Sequence, residues 1–211
     1  LSEQASTTGV TIVKPVRELE EIKKKAVVNK QTIHYLPPYR PENSIRLGDL
    51  LNIPVKGLKE GASLQLIKAI VAQRSIKSPE EVTEIHKAVN TSNEMHLAAM
   101  RTTKGGLRES EVAGIIEGIA ISAGGNISYP VIYTVNGQTL HNHATSNVMK
   151  KGQLVLCDAG AETAMHYAGD LTRTFPVDTK FTAVQKEVYE IVLGAEKAAA
   201  NALAPGKKFR D

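Results

Sequence analysis

Residues 78–211 of this 211-residue chain predict an α+β fold, and residues 1–77 predict the closing part of an α/β domain. After Ser78 two helix patterns, three strand patterns and a long helix pattern follow one another, the segregated order of an α+β unit. Before Lys77 the order is strand, helix, strand. Charge changes at the same boundary. Residues 1–77 carry 13 basic and 7 acidic side chains, 13 − 7 = +6, whereas residues 78–211 carry 13 and 15, 13 − 15 = −2. No internal repeat is visible.

Gly9–Val16, with its Val-Thr-Ile-Val run, predicts a strand, and Val16–Lys30 an amphipathic helix striped by Leu19, Ile22 and Ala26. Thr32–Leu36 predicts a second strand, stopped at Pro37-Pro38 because proline has no N–H for a ladder. Pro41–Leu51 reads as irregular and Leu64–Gln73 as a short helix. Ser78-Pro79-Glu80-Glu81 combines a capping serine, a proline at the first helical position and acids at the positive end of the dipole. That helix runs to Thr102, with Val82, Ile85, Val89, Met95 and Met100 as expected core residues, and Gly105-Gly106 ends it. Glu109-Ser110-Glu111 opens the next, which reaches Ala123 before Gly124-Gly125. Tyr129–Val135 predicts a strand, and Thr182–Ala204 the last helix.

Leu154-Val-Leu-Cys157, bounded by Gly152 and Gly160, predicts a buried strand that ends in Asp158. Asp170 follows 170 − 158 = 12 residues later, at the head of the strand Leu171–Val177. In a hairpin turning near Ala164 the two aspartates stand opposite each other on one face, with Cα atoms ~4.5–5.5 Å apart. Carboxylates that close repel unless a shared proton, an arginine or a cation intervenes. Hard oxygen donors suit a divalent ion. Arg173 offers an ion pair instead, and Asp-Xaa-Gly at a strand end is also ordinary turn chemistry. Among the histidines, His141 and His143 stand two apart and are expected on one face of a strand. His34, His86 and His96 lie outside the site region, His86 and His96 being expected on the surface or in satisfied packing, and His166 falls in the turn between the aspartates. Cys157, the single cysteine, excludes an intrachain disulfide framework and reads as a small hydrophobe.

Asp158-Ala-Gly-Ala-Glu162 and Tyr167-Ala-Gly-Asp-Leu-Thr-Arg-Thr-Phe-Pro-Val177 resemble the first metal-ligand segment of the pita-bread metallopeptidases. They are closer to aminopeptidase P and prolidase than to methionine aminopeptidase. The resemblance extends through Lys180-Phe-Thr182, Gln185, Val188-Tyr-Glu190 and Pro205-Gly206, and upstream to Leu140-His141 and the helix from Ser78. It implies that residues 78–211 are the first of two pseudo-symmetric halves of a pita-bread catalytic domain. It implies that Asp158 and Asp170 ligate two divalent ions, usually Mn(II), one aspartate bridging both. His141, 158 − 141 = 17 residues before Asp158, matches the family histidine that binds substrate or moves a proton without ligating metal.

The implied activity removes an N-terminal residue from a peptide substrate with proline in second position. Prolidase, which cleaves only dipeptides, uses the same metal residues. A pita-bread protein without metal, serving as a binding module, is disfavoured by the presence of Asp158, Asp170 and His141. In the family the gap between the two aspartates is one residue shorter, and the extra residue is assigned to the turn Thr163–His166, where insertion is cheapest. The family's other ligands are a His and two Glu from the second half, and no Glu after Asp170 has a matching context. The chain is therefore expected to be part of a longer enzyme, inactive alone and homo-oligomeric when whole.

Aromatic residues make up 4 % of the chain with no Trp, so no stacking platform for nucleic acid is expected, and the basic surplus lies away from the aspartates. No apolar run approaches the ~18 residues that span a bilayer, and no signal peptide is visible. Cytoplasm is the expected location.

Overall fold

The computed structural model describes residues 2–143 and 146–210, and it divides into two units, residues 1–77 and 78–211. In the first unit the described regular elements are helices: α1 (Ser2–Thr8), α2 (Leu19–Val28), α3 (Pro41–Leu51) and α4 (Leu64–Ser75). Helices α2 and α4 fall where the apolar spacing put them, and Ser63 caps α4 by accepting from the Leu66 N–H at 3.1 Å. The two predicted strands, Gly9–Val16 and Thr32–Leu36, form no ladder among the described residues: the backbone is irregular except at Val16, which opens a 3-10 turn, Val16–Glu18. β-Branched side chains favour a strand only where a neighbour supplies the hydrogen bonds. Ile12 and Val16 remain exposed accordingly. Pro41–Leu51, expected to be irregular, is a helix. Its polar composition hid two end signals: Pro41 at the first position and Asn52 in the left-handed conformation just beyond the last turn.

The second unit begins with α5 (Pro79–Thr102), held by a reciprocal cap. Ser78 Oγ accepts from the Glu81 N–H, and Glu81 Oε2 accepts from the Ser78 N–H at 2.7 Å. Helix α6 (Glu109–Ser122) packs against α5, and both lie on a three-stranded antiparallel sheet of order β2-β3-β5, with β2 (Ile132–Thr134), β3 (Leu154–Ala159) and β5 (Leu171–Pro176). A second pair joins β1 (Asn126–Ile127) to β4 (Ala161–Glu162). Strand β3 is central, and its alternation decides the architecture. Val155, Cys157 and Ala159 are buried among Met95, Ala99, Val112, Ile116, Tyr133 and Phe175, while Leu154, Leu156 and Asp158 point to the other face. Each fully buried large apolar side chain contributes roughly 1.5–3 kcal/mol.

The buried stripe of α5 is Ala88, Ser92, Met95, His96 and Ala99, whereas Val82 and Met100 are each 41 % exposed. Small and polar residues on this stripe let the helix approach the strands closely. Ser92 Oγ accepts from the Ala161 N–H at 2.9 Å, and His96 Nε2 lies 3.1 Å from the Ala159 carbonyl, so that nitrogen carries the proton. A Cβ at Gly169 would collide with Ser92 Oγ and the Ala88 carbonyl. Helix α7 (Ala183–Ala202), capped by Thr182, buries no residue, and Val184, Val188, Ile191 and Val192 are exposed on it. No helix among the described residues is long and apolar enough to cross a membrane.

The hairpin register differs from expectation. Asp158 pairs with Thr172, and the ladder continues to Glu162 opposite Ala168, so the turn centres on Met165 and not on Ala164. A shift of one residue in the turn centre moves every partner by two, which leaves each side chain on its original face. Asp158 and Asp170 are thus diagonal neighbours on one face. The turn is a three-residue loop: the His166 N–H donates to the Thr163 carbonyl, and the Thr163 N–H to the Tyr167 carbonyl, both at 2.9 Å. His166 takes the left-handed position, with φ of 63°, that glycine usually fills in this turn.

Candidate metal centre

Asp158, half-buried, stands one residue before the end of β3 between Ile132 and Thr172, and Asp170 stands exposed just before β5. A third residue joins them. The Tyr129 hydroxyl lies 2.7 Å from Asp158 Oδ1 and 2.9 Å from Asp170 Oδ1. The phenol has one proton for two acceptors, so the pair shares a single donor. Burial first, then its bonds to Asp158 and Asp170, pushes the Tyr129 hydroxyl far above the ordinary tyrosine value and keeps it protonated.

Ser128 places Tyr129. Its N–H donates to the Gly160 carbonyl at 2.9 Å and its hydroxyl to the Gly169 carbonyl at 2.8 Å, between the two aspartates on both strands. Pro130 then carries the chain out of the β1–β4 pair and into β2. The sequence reading took Tyr129 as the start of a strand. Its one available signal was Pro130, which interrupts a central strand and so frees the residue before it for another task.

No ion pair joins Arg173, or any other basic side chain, to Asp158 or Asp170 among the described residues. Arg173 stands opposite Cys157, one residue off the face of the aspartates, and donates to the Thr172 carbonyl. The donor set fits a hard cation: two carboxylates, one shared proton and no competing base. It is partial, since no group of three or more His, Cys, Asp or Glu side chains suited to a metal occurs among the described residues.

His141 and His143 do not lie on a strand. Both are exposed on the loop after β2, and His141 has a left-handed backbone, φ 52°. No hydrogen bond joins His141 to either aspartate among the described residues. His166 turns outward and meets Glu162 Oε1 at 2.8 Å. His86 is exposed, His34 contacts Ser63, and His96 is buried beneath β3. Burial, with the adjacent Asp158 charge as a smaller cause, pushes the Cys157 thiol up to about 12, so it is an inert core group. Beside Thr172 a groove of about 490 Å3, lined among others by Leu154, Thr174, Val188 and Val192, separates β5 from α7.

A hairpin thus carries two convergent carboxylates on its open face, with helices packed behind it, an arrangement whose chemistry suits a hard cation. Residues 83–211 match the model of metallopeptidase family M24, and the chain belongs to that family. The Xaa-Pro aminopeptidase of Haemophilus influenzae is 38 % identical over 149 residues, covering 65 % of this chain and 32 % of that protein. The solved structure of Pseudomonas aeruginosa aminopeptidase PepP is similar with a TM-score of 0.71 at 31 % identity, covering 84 % of this chain and 42 % of that one. Zn-substituted Escherichia coli aminopeptidase P in complex with product gives 0.58 at 38 % identity, over 62 % of this chain and 30 % of that one. The chain spans about a third of the length of the curated relatives it matches. The fold of residues 78–211 is accordingly α+β of the pita-bread type.

Proposed function

We propose that the full-length protein is a metal-dependent hydrolase that removes an N-terminal residue from peptides with proline in second position. The observation that carries this reading is the pair of carboxylates drawn onto one phenol hydroxyl, with no basic side chain ion-paired to either among the described residues, in a chain of the M24 family. Asp158 and Asp170 hold divalent ions, two by the family resemblance, with Mn(II) the first candidate although oxygen donors do not choose sharply among Mn, Co and Fe. Such ions, when bound, make a water acidic and polarise a carbonyl. Tyr129 keeps both carboxylates turned to the same point. His141 meets the peptide, where an imidazole can steady a developing oxyanion or hand a proton to the leaving amine. The preference for proline rests on what the relatives are named for. A cytoplasmic location and a homo-oligomeric state belong to the same proposal.

Two carboxylates satisfy a minority of the six or so oxygens such an ion wants. The reading therefore needs further ligands from outside residues 1–211, and these residues alone hydrolyse nothing. The test measures bound metal and release of the first residue from an Xaa-Pro-Xaa peptide, in full-length protein and in its Asp158→Asn variant. A variant that kept metal and turnover would sink the assignment. Hydrolysis confined to Xaa-Pro dipeptides would make the enzyme a prolidase. Turnover by residues 1–211 alone would overturn the ligand count.

A further inference from the structure

We propose that Glu109 is a positioning residue: its carboxylate ties together the two stems of the loop that presents His141. The catalytic consequence rests on the role given to His141 above; the structural content does not.

Glu109 is the first residue of α6 and is 0 % exposed. A buried carboxylate is unfavourable unless its oxygens are engaged, and no cationic side chain pairs with this one among the described residues. Both oxygens are instead spent on another segment. Oε1 accepts from the Val135 N–H at 2.8 Å, and Oε2 accepts from Asn147 Nδ2 at 3.1 Å. The Glu109 N–H also donates to the Asn147 carbonyl at 3.0 Å. Val135 is where the chain leaves β2, Asn147 is where it returns toward β3, and His141 stands midway. One side chain closes the loop at its base. The start of α6 favours negative charge, which makes a carboxylate tolerable there.

A second buried group holds the loop further out. Thr134, 0 % exposed, has its Oγ1 accepting from the Asn136 N–H at 3.0 Å and from Asn142 Nδ2 at 3.1 Å. Asn142 follows His141 directly. The return stem is paired with the approach to α6 through Gly106 N–H to the Met149 carbonyl and Met149 N–H to the Leu107 carbonyl, both 2.9 Å. His141 itself is in the left-handed region. A non-glycine residue stays there only where its surroundings over-determine it, and these contacts are those surroundings. None of them touches Asp158 or Asp170, so Glu109 governs the histidine separately from the carboxylates.

Glu109→Gln is nearly isosteric but replaces an acceptor-only carboxylate by an amide. Its N–H opposes either the Val135 N–H or Asn147 Nδ2 unless Asn147 turns its own amide over, so the charge-assisted tie to both stems becomes a weaker neutral one. Backbone amides of residues 135–143 should then exchange with solvent ~10-fold faster, as a lost bond to a charged group requires, while those of β3 and β5 keep wild-type rates. Adding Asn147→Asp gives the new amide an acceptor and should restore protection. In the full-length enzyme Glu109→Gln should lower kcat ~10–100-fold through misplacement of the histidine, with metal content unchanged and recovery in the double variant. Asn147→Ala, which frees the return stem alone, covers the case in which Glu109→Gln does not fold. Unchanged exchange at 135–143, equal loss of protection in β3 and β5, or no rescue by Asn147→Asp would each overturn the proposal. If His141→Ala left turnover intact, the reading of His141 would fall, while the exchange rates would still decide the anchor.

Discussion

Asp158 and His141, both proposed for the active centre, are held by opposite means. Asp158 stands on a central strand with ladder partners on both sides, Ile132 and Thr172, and α5 fixes the next residues through His96 and Ser92. His141 has no ladder at all and depends on a few side-chain bonds, those of Glu109 and Thr134. Cation ligands must keep their spacing to within tenths of an ångström, which regular backbone supplies better than a loop. A group that meets varied peptides gains from a loop that a rigid frame presents. The division implies that damage to one side of the centre should leave the other readable.

The largest effect should come from the strand side. Asp158→Asn or Asp170→Asn in the full-length enzyme should cost more than ~100-fold in turnover and most of the bound metal, since outer-shell partners of metal ligands alone cost ~10–100-fold. Metal analysis beside kinetics reads both. Next comes His141→Ala, expected to lower kcat by ~100-fold or more, the usual worth of a positioned acid or base, while metal stays bound. His143→Ala should do much less. Equal metal loss in the two histidine variants would erase the distinction between strand-held ligands and a loop-held substrate contact. Tyr129→Phe should be milder, weakening metal binding by ~10-fold through loss of the shared proton that orients both carboxylates. Titration of Mn(II) into that variant with wild-type affinity would mean that Tyr129 is a bystander.

How legible each side was follows from the same contrast. Helix α5, its cap, and β3 and β5 could be read because apolar periodicity and end signals repeat over many residues, and the motif around Asp158 and Asp170 is local. The contact of Tyr129 with the aspartates was not legible beyond the hint of Pro130, because it spans 29 and 41 residues of sequence. Glu109 was legible only as an acid opening α6. Its burial, and the loop it holds, come from a fold that brings Val135 and Asn147 to one helix end. The strands expected at Gly9–Val16 and Thr32–Leu36 failed for the same reason in reverse: a strand is a property of a pair. The shifted register at the hairpin left both aspartates on one face because side chains alternate with a period of two.

The smallest expected effect isolates the strand side by pH. Burial raises the Cys157 thiol from an ordinary value of 9.0 to about 12 in the folded chain, with the neighbouring Asp158 charge adding to the shift. A group whose folded pKa lies above its unfolded one stabilises fully below the unfolded value and loses that contribution as pH climbs, because the unfolded chain releases its proton first. Stability of residues 1–211 should therefore decline between about pH 9 and pH 12. Tyr129 and Tyr133, both raised chiefly by burial, extend the decline to higher pH. All three belong to the sheet or to the segment entering it, and none to the loop of His141. Cys157→Ala removes one of the three titrations, at the cost of a small cavity felt at every pH. Urea midpoints measured from pH 7 to pH 11 should thus fall less steeply for Cys157→Ala than for the wild type. Parallel slopes would mean that the thiol ionises without unfolding β3, and that the strand side is less rigid than its ladder implies.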